Sequence, residues 1–201
     1  MSPRIDVSEQ RREQILLAAE TVVSDKGLDS LRMDEVADKT GLSKGTLYLY
    51  FKNKHDLSLA LLERVLEQEL DAVGGITATS SDAEHALRKF VDRVVVDVER
   101  IIRVIPISYG FLSIAFRNRK VQHALKQYLR RYIDSLTPIL QSGIESGELQ
   151  SVDPEEAAIA VAAVVEGTML LWMYDRTLID PSKHIRSGIE HLLTGLRSHH
   201  G

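Results

Sequence analysis

The chain has 201 residues, a formal net charge of −4, five prolines and no cysteine. Without cysteine it can form no disulfide framework, thiol nucleophile or Cys-ligated zinc site, so a metal site would need His and carboxylate ligands. We find no apolar run of the roughly 18 residues that a membrane span needs, and the first residues lack the apolar core of a signal peptide. We therefore expect a cytoplasmic protein with no membrane contact and no cofactor.

Three helices are predicted before residue 54. Apolar residues recur at helical spacing from about Glu9 to Lys26, and Gly27 follows as a stop. A short second helix is predicted at Asp34–Thr40 and a third at Lys44–Phe51. Between them lie only Gly41, Leu42 and Ser43, and the Ser43 hydroxyl can cap the third helix.

The chain after residue 53 is also expected to be helical. A fourth helix begins after the cap Asn53 and ends near Gly74, followed by a Gly/Ser/Thr-rich linker to Asp82. A fifth helix carries an apolar stripe from Leu87 and stops before Pro106, because proline disfavours helix in the residue before it. Four further helices are predicted at Ile107–Phe116, at Lys120–Ser146 with a kink at Pro138, at Glu155–Tyr174 after Pro154, and around Ile185–Leu196.

These elements predict an all-α fold of about nine helices, since no segment has strand periodicity. We expect an N-terminal three-helix domain at residues 1–54, a fourth helix that bridges from residue 54, and a larger helical domain at residues 55–201.

The second and third helices have the geometry of a helix-turn-helix, in which the second helix of the pair enters the major groove of DNA. Residues 39–54 favour this interpretation because they include four lysines and no acidic residue. Leu47 and Phe51 are expected to point inward, whereas Gly45 removes side-chain bulk where the helix would come closest to DNA. The candidate DNA contacts are Arg32, Ser43, Lys44, Gly45, Thr46, Tyr48, Tyr50 and Lys54.

The segment from Gly41 to Leu57, Gly-Leu-Ser-Lys-Gly-Thr-Leu-Tyr-Leu-Tyr-Phe-Lys-Asn-Lys-His-Asp-Leu, resembles the signature of the tetracycline-repressor (TetR) family. The specific resemblance extends over roughly Glu9 to Leu61. One departure is Leu31-Arg32, which stands where many members have a Ser or Thr cap. The start of the second helix is therefore expected to depend on the acidic residues of its first turn.

The resemblance implies a homodimer that binds a palindromic operator in double-stranded DNA, most often as a repressor. Two half-sites about 34 Å apart would match the two-fold symmetry of such a dimer. In similar proteins the last two helices form a four-helix interface with their partners, and the segment Glu155–Tyr174 is apolar on nearly all sides. The expected interface residues are Ala160, Val164, Gly167, Leu171, Ile189, Leu192, Leu193 and Leu196.

The resemblance also implies a small-molecule effector pocket among the fifth to eighth helices. Its candidate wall is mainly apolar, which favours a mainly apolar ligand. The candidate pocket residues are Phe90, Val94, Asp97, Tyr109, Phe111, Phe116, Tyr128, Tyr132, Met169, Trp172 and Met173. Aromatic and methionine residues at helical spacing are more often part of a plain core than ligand contacts. Glu166 can either anchor a cationic ligand or form a paired carboxylate at an interface.

An enzyme and an architectural DNA-binding factor are the two alternatives to a ligand-controlled regulator. An enzyme is disfavoured because the sequence has no Gly-rich phosphate loop, nucleophile elbow or His-Glu-x-x-His motif. His184 and His191 lie seven residues apart, but no third metal ligand accompanies them. A DNA-binding architectural or partner-controlled factor without a small-molecule inducer remains the alternative.

Overall fold

The computed structural model describes residues 7–73, 83–96 and 98–197, without the side chains of residues 72, 73, 100, 103, 104 and 106. Over these ranges the chain is all-α as predicted, with nine α-helices, the short 3₁₀ turn Leu28–Ser30 and one isolated β-bridge between Leu149 and Arg197. The helices are α1 (Val7–Lys26), α2 (Met33–Thr40), α3 (Lys44–Tyr50), α4 (Lys54–Val73), α5 (Ala83–Val96), α6 (Val98–Ala115), α7 (Arg119–Glu145), α8 (Pro154–Tyr174) and α9 (Pro181–Leu196). The predicted linker, residues 74–82, lies outside the described residues.

Helix α1 buries the apolar stripe that its sequence predicts. Its most buried side chains, at most 3% exposed, are Ile15, Leu16, Ala19, Val22 and Val23. These positions share one face of a 3.6-residue helix, and that face packs on α2 and the 3₁₀ turn. Gly27 then adopts a φ of 83°, a conformation that side chains other than glycine rarely accept, and the helix ends before it.

The first half of α4 buries an apolar stripe and is joined to α1 by ion pairs. The α4 side chains of Leu57, Leu61 and Val65 are fully buried. Beside them, the Arg64 guanidinium donates to the Glu13 carboxylate at 2.7 Å and also pairs with Glu20. Arg64 is only 13% exposed, so its charge gains more from two carboxylates than a freely solvated arginine would.

By compactness the chain divides into two units. The first comprises residues 1–68 and 103–126, and the second comprises residues 69–102 and 127–201. The first unit therefore contains α1 to α3, most of α4, and the end of α6 with the start of α7. The functional boundary that we placed at residue 54 stays a prediction, because compactness does not test where function divides.

The predicted end of the fifth helix at Pro106 is wrong. The structure ends α5 at Val96 and begins α6 at Val98, and α6 then runs through residue 106 to Ala115. Proline inside a helix removes one backbone hydrogen bond. The flanking side chains of Ile105 and Ile107 are 4% and 0% exposed, so burial on both sides of the proline offsets that loss. The predicted helix across Pro138 exists and continues to Glu145.

Helix α8 has a buried face in the second unit and packs on α9. Asp153 caps it by accepting from the backbone N–H groups of Glu155 and Glu156, and Pro154 at the first position has no N–H that would need a partner. By length and composition α8 could also cross a membrane, yet 44% of its most apolar stretch is buried inside the chain. A core helix of a soluble protein meets the same criterion.

The α5 and α9 helices of the second unit are held together by a charged network. Glu84 in α5 accepts from Arg197 at 2.6 Å and from Arg88 at 2.7 Å. These two guanidinium groups lower the pKa of the Glu84 carboxyl to about 2. Arg88 also pairs with Glu190 of α9, so α5 and α9 are linked both through Glu84 and through Arg88.

Substituting Gly143 with alanine should destabilise the second unit. A Cβ atom at Gly143 would lie 2.5 Å from the Ala83 Cβ and 2.8 Å from a Leu149 methyl carbon, and overpacking of this kind costs about 1–3 kcal/mol. The matched control is Gly195→Ala in α9, where a Cβ would meet nothing within 4 Å. Urea denaturation should give a lower midpoint for Gly143→Ala and an equal or higher midpoint for Gly195→Ala. Equal midpoints for both variants would contradict this account of the α7 packing.

Candidate functional site

The turn between α2 and α3 is built from three residues, as the sequence predicts. Helix α2 ends at Thr40, and Gly41 follows with a left-handed φ of 69°. Its backbone N–H donates to the Asp38 carbonyl, and the Leu42 N–H donates to the Ala37 carbonyl at 3.2 Å. A left-handed residue after a helix is typically glycine, since a Cβ is disfavoured there. The turn therefore has a local cause in Gly41.

Ser43 caps α3. Its Oγ accepts from the backbone N–H of Thr46 at 3.1 Å and lies 2.9 Å from the Thr46 hydroxyl. A cap of this kind satisfies one of the free N–H groups at the start of a helix. The predicted cap is confirmed. The start of α2 also matches the sequence, because Arg32 provides no side-chain cap and the first turn holds two acidic residues.

One side of α3 anchors this short helix. The Leu47 side chain is fully buried, and Phe51, directly after the helix, is 2% exposed. The guanidinium of Arg12 in α1 lies over the Phe51 ring at 5.5 Å from its centroid, a favourable cation–π distance. Leu47 and Phe51 therefore point inward as predicted.

The opposite side of α3 is open to solvent. Arg32, Ser43, Lys44 and Gly45 are exposed, and Tyr48 is 49% exposed. Thr46 and Tyr50 are half-buried, and Lys54 is exposed at the start of α4. All eight candidate DNA contacts thus have accessible atoms, and all belong to the first unit. Whether each one touches DNA stays a prediction.

The cations near α3 have partners on the neighbouring elements. The Lys44 ammonium lies 2.8 Å from an Asp34 carboxylate oxygen of α2, and this contact raises the pKa of Lys44. The Lys54 ammonium donates to the Asp29 carbonyl of the 3₁₀ turn at 3.1 Å. Both lysines are charged and exposed, so a phosphate group could replace either partner.

Leu49 is a candidate contact that we missed in the sequence. It is 84% exposed, the most exposed leucine among the described residues. The signal was available, because 100° per residue places Gly45 and Leu49 opposite the buried Leu47. Apart from Gly45, the contacts predicted from the sequence are all polar or charged side chains, and this criterion passes over a leucine.

The predicted pocket residues do not share one environment. Those at most 8% exposed are Phe90, Val94, Phe111, Tyr132, Met169 and Trp172. Tyr109, Tyr128 and Met173 are half-buried. Phe116 is 90% exposed in the turn after α6, which ends at Ala115, so its assignment to a pocket wall is wrong. Asp97 lies outside the described residues.

Three of these aromatic side chains form a cluster in the second unit. The Tyr132 ring lies 6.1 Å from the Phe90 ring and 6.0 Å from the Tyr128 ring, with which it is stacked. The Tyr128 hydroxyl donates to a Glu166 carboxylate oxygen at 3.1 Å. Burial raises the pKa of both Tyr128 and Tyr132 well above the usual range, so both hydroxyl groups stay protonated. Glu166 is therefore a paired carboxylate beside aromatic rings.

The predicted interface residues fall into two sets. Ala160, Val164, Gly167, Leu192 and Leu196 are half-buried, and Leu171 is 51% exposed. Ile189 and Leu193, in contrast, are 1% and 0% exposed within the single chain. They face inward on α9, which packs on α5 and α8. Their side chains belong to the core of the chain, so a direct contact with a partner is the wrong assignment for them.

Two family models match the chain. The model described as "Bacterial regulatory proteins, tetR family" matches residues 15–61. The model described as "BetI-type transcriptional repressor, C-terminal" matches residues 83–196. The two matches together span the helix-turn-helix and most of the second unit. A curated relative, an uncharacterised helix-turn-helix transcriptional regulator of Bacillus subtilis, YfiR, is 28% identical over 162 residues, 77% of this chain and 76% of its own length.

Solved structures share the fold. The SmeT repressor of a Stenotrophomonas maltophilia multidrug efflux pump is 23% identical with a TM-score of 0.75, and the alignment covers 94% of this chain and 91% of SmeT. A regulator from Saccharomonospora viridis in complex with choline is 17% identical with a TM-score of 0.83, covering 94% and 99% of the two chains. At these identities the likeness shows the fold alone.

Substituting Gly45 with alanine should change stability and DNA affinity in opposite directions. A Cβ at Gly45 would meet only the Ser43 Oγ at 3.7 Å, an ordinary contact. Because alanine favours helix over glycine by up to about 1 kcal/mol, the urea midpoint should stay or rise. Affinity for a DNA duplex that the protein selects from a random pool should fall, because the new methyl group lies on the outward side of α3. Fluorescence anisotropy measures this affinity. Unchanged affinity would mean that this side does not approach DNA closely.

Removing the Lys54 ammonium should weaken DNA binding in a salt-dependent way. The Lys54→Ala variant should bind less tightly and show a log–log salt slope reduced by about one for each protomer, because one phosphate contact is lost. Lys183→Ala, on the exposed surface of α9, is the control and should leave the slope unchanged. Tyr48→Phe should also weaken binding, through the loss of its hydroxyl. Unchanged affinity in both Lys54→Ala and Tyr48→Phe would refute this placement of the DNA surface.

Proposed function

The chain belongs to the TetR family of helix-turn-helix transcriptional regulators, and on this premise we propose that it binds a palindromic operator as a homodimer and releases it when a mainly apolar small molecule binds. Repression of transcription is the output we assign to it. Its place of action is the cytoplasm, where bacterial operator DNA lies. Relatives named as transcriptional regulators support a binding protein over an enzyme.

The observation that carries the proposal is the two-sided character of α3. One side is fixed by the buried Leu47 and by Phe51, while the other side presents Lys44 and Tyr48 to solvent. A helix held in this way can enter a major groove without losing its own packing. Lys54 at the start of α4 adds a charge for the flanking phosphate.

Selection of DNA from a random duplex pool, repeated over a salt series, tests operator binding. We expect a palindrome whose half-site centres lie about one helical turn, or a multiple of it, apart. Unselective binding with a steep salt dependence would contradict an operator-specific function and favour the architectural factor, since phosphate contacts alone give binding without sequence preference.

The homodimer is proposed from the second apolar face of α8. One face is buried by the chain itself, through residues such as Ala158, Val161 and Val165. The opposite face carries Leu171 at 51% exposed and Tyr174 at 74% exposed. These residues follow Ala160, Val164 and Gly167 at alternating spacings of four and three, which is a continuous helical stripe. A continuous apolar stripe favours a partner over water.

Gly167 fits a close approach of another helix. A Cβ at this position would meet nothing within 4 Å of the same chain, so the fold of one chain does not require glycine there. Glycine in a helix interior costs about 1 kcal/mol relative to alanine. A second copy of α8 that passes close to this position would explain why that cost is tolerated, and the half-buried Leu192 and Leu196 of α9 would extend the contact.

A charge on the α8 stripe should separate the dimer. Leu171→Glu places a carboxylate at the proposed interface, whereas Leu129→Glu in α7 changes a leucine with the same 51% exposure. Light scattering after gel filtration should give a monomer for Leu171→Glu, with loss of affinity for the palindrome, and a dimer for Leu129→Glu. A dimeric Leu171→Glu variant, or monomers for both variants, would contradict this interface.

An effector is proposed from the aromatic second unit and from what related structures hold. SmeT has been solved in complex with triclosan, and the Saccharomonospora viridis regulator in complex with choline. In this chain the Phe90, Tyr128 and Tyr132 rings form a mostly buried apolar cluster with one hydroxyl–carboxylate pair, Tyr128 and Glu166. A mainly apolar molecule with one polar group would complement such a cluster.

Within the first unit, a hydrogen-bonded path joins the start of α7 to the DNA-binding elements. The Asn118 side chain caps α7, because its Oδ1 accepts from the backbone N–H of Lys120 at 3.0 Å. Its amide nitrogen lies 3.0 Å from the His55 Nε2 of α4, and the adjacent Lys54 bonds to the 3₁₀ turn. A shift of α7 would therefore displace the first turn of α4. We assign this displacement as the cause of operator release.

Thermal-shift screening combined with operator binding tests the effector. We expect at least one compound that raises Tm and lowers operator affinity, since a ligand shifts the equilibrium only by its differential affinity for the two states. Couplings of about 1–3 kcal/mol correspond to roughly 5- to 150-fold losses of affinity. If compounds that stabilise the protein leave operator affinity unchanged, regulation by a partner or an architectural role is favoured.

A further inference from the structure

The outer ridge of α3 is apolar and narrow. Gly45 and Leu49 are one turn apart and lie on the side opposite the fully buried Leu47. Leu49 is 84% exposed, and the polar side chains of Thr46 and Tyr48 lie on the two flanks of this ridge. If this side of α3 enters a groove, the Leu49 side chain is therefore the part nearest the bases. Gly45 beside it has no side chain, and the hydroxyl groups of Thr46 and Tyr48 lie on either side.

The fold of the chain does not account for this ridge. Gly45 has no close neighbour that excludes a Cβ, and its φ lies outside the left-handed region. Leu49 buries little of its surface and so contributes little to the core. Single exposed leucines are common on proteins, but this one occupies the central outward position of a helix that the fully buried Leu47 fixes from the other side. Binding of a ligand to the outward side of α3 is the remaining physical reason for a glycine at position 45 and a leucine at position 49.

The chemistry of the major groove limits what a leucine can recognise there. Guanine, cytosine and adenine present hydrogen-bonding groups at that edge, whereas thymine adds a C5-methyl group. A leucine placed against a donor or an acceptor would remove water from it and return no hydrogen bond, which is unfavourable. Against a methyl group the same side chain buries apolar surface on both partners.

We propose that Leu49 is a specificity-determining residue that contacts the C5-methyl group of a thymine in each operator half-site. The absence of a side chain at Gly45 allows the ridge to come close enough for this contact. The inference rests on the proposed operator binding. It adds which base Leu49 recognises, thymine, and which group of that base it contacts, the C5-methyl group.

Replacing thymine by deoxyuridine tests the contact, because it removes only the methyl group. Each thymine of the selected palindrome is replaced in turn, symmetrically in both half-sites, and affinity is measured for the full-length protein. For the unmodified protein we expect one position at which the affinity falls about four-fold per half-site. This factor corresponds to the loss of one buried CH₂ group. The Leu49→Ala variant should bind the thymine and deoxyuridine duplexes equally at that position.

Two controls isolate the leucine. Leu178→Ala changes a leucine that is 70% exposed in the second unit, and it should keep the full preference for thymine. Circular dichroism melting should show that Leu49→Ala folds as stably as the unmodified protein, since the side chain lies outside the core.

The outcomes separate this inference from the function on which it rests. A palindrome without thymine, a palindrome at which deoxyuridine has no effect, or an effect that persists in Leu49→Ala would overturn the contact and leave operator binding intact. A pool that yields no palindrome would contradict the proposed function itself, and the Leu49 contact with it.

Discussion

The attachment of α3 by one side is the constraint on which the rest of the structure depends. A helix of seven residues, Lys44–Tyr50, is too short to be stable alone, because nucleation costs more than so few hydrogen bonds return. Three contacts stabilise this short helix: the buried Leu47, the adjacent Phe51 under Arg12, and the Ser43 cap. Since all of these contacts lie on one side or at the ends, and only the exposed Lys44–Asp34 ion pair involves the outward side, a partner can determine most of what that side presents.

The same physical pattern recurs on α8 in the second unit. Its inner face is packed, and its outer face carries Gly167 and Leu171, neither of which the single chain requires. In both helices a glycine without close neighbours stands beside an exposed leucine. We assign DNA to the first surface and a second copy of the chain to the other. Symmetry connects the two assignments, because a two-fold dimer presents two copies of α3 to two half-sites.

Local signals in the sequence predicted what local chemistry determines. Gly41, the Ser43 cap and the inward Leu47 each follow from one or two residues, and the structure confirms all three. Features that depend on tertiary packing were predicted less well. Buried neighbours carry α6 through residue 106, and the turn after Ala115 leaves Phe116 exposed. Ile189 and Leu193 face the core because of how α9 is rotated, which an apolar stripe does not reveal. Leu49 was missed for a different reason: every predicted contact except Gly45 is polar or charged, while the helical angle alone would have selected the leucine.

The most direct test of the account is photocrosslinking from the DNA. A thymine of the selected half-site is replaced by 5-iodouracil, the complex is irradiated, and the attached peptide is identified by mass spectrometry. We expect major-groove positions to crosslink to the segment that contains Tyr48 and Leu49, the exposed side of α3. Crosslinks confined to other elements, with α3 unmodified in a specific complex, would contradict the central claim that the outward side of this helix enters the groove.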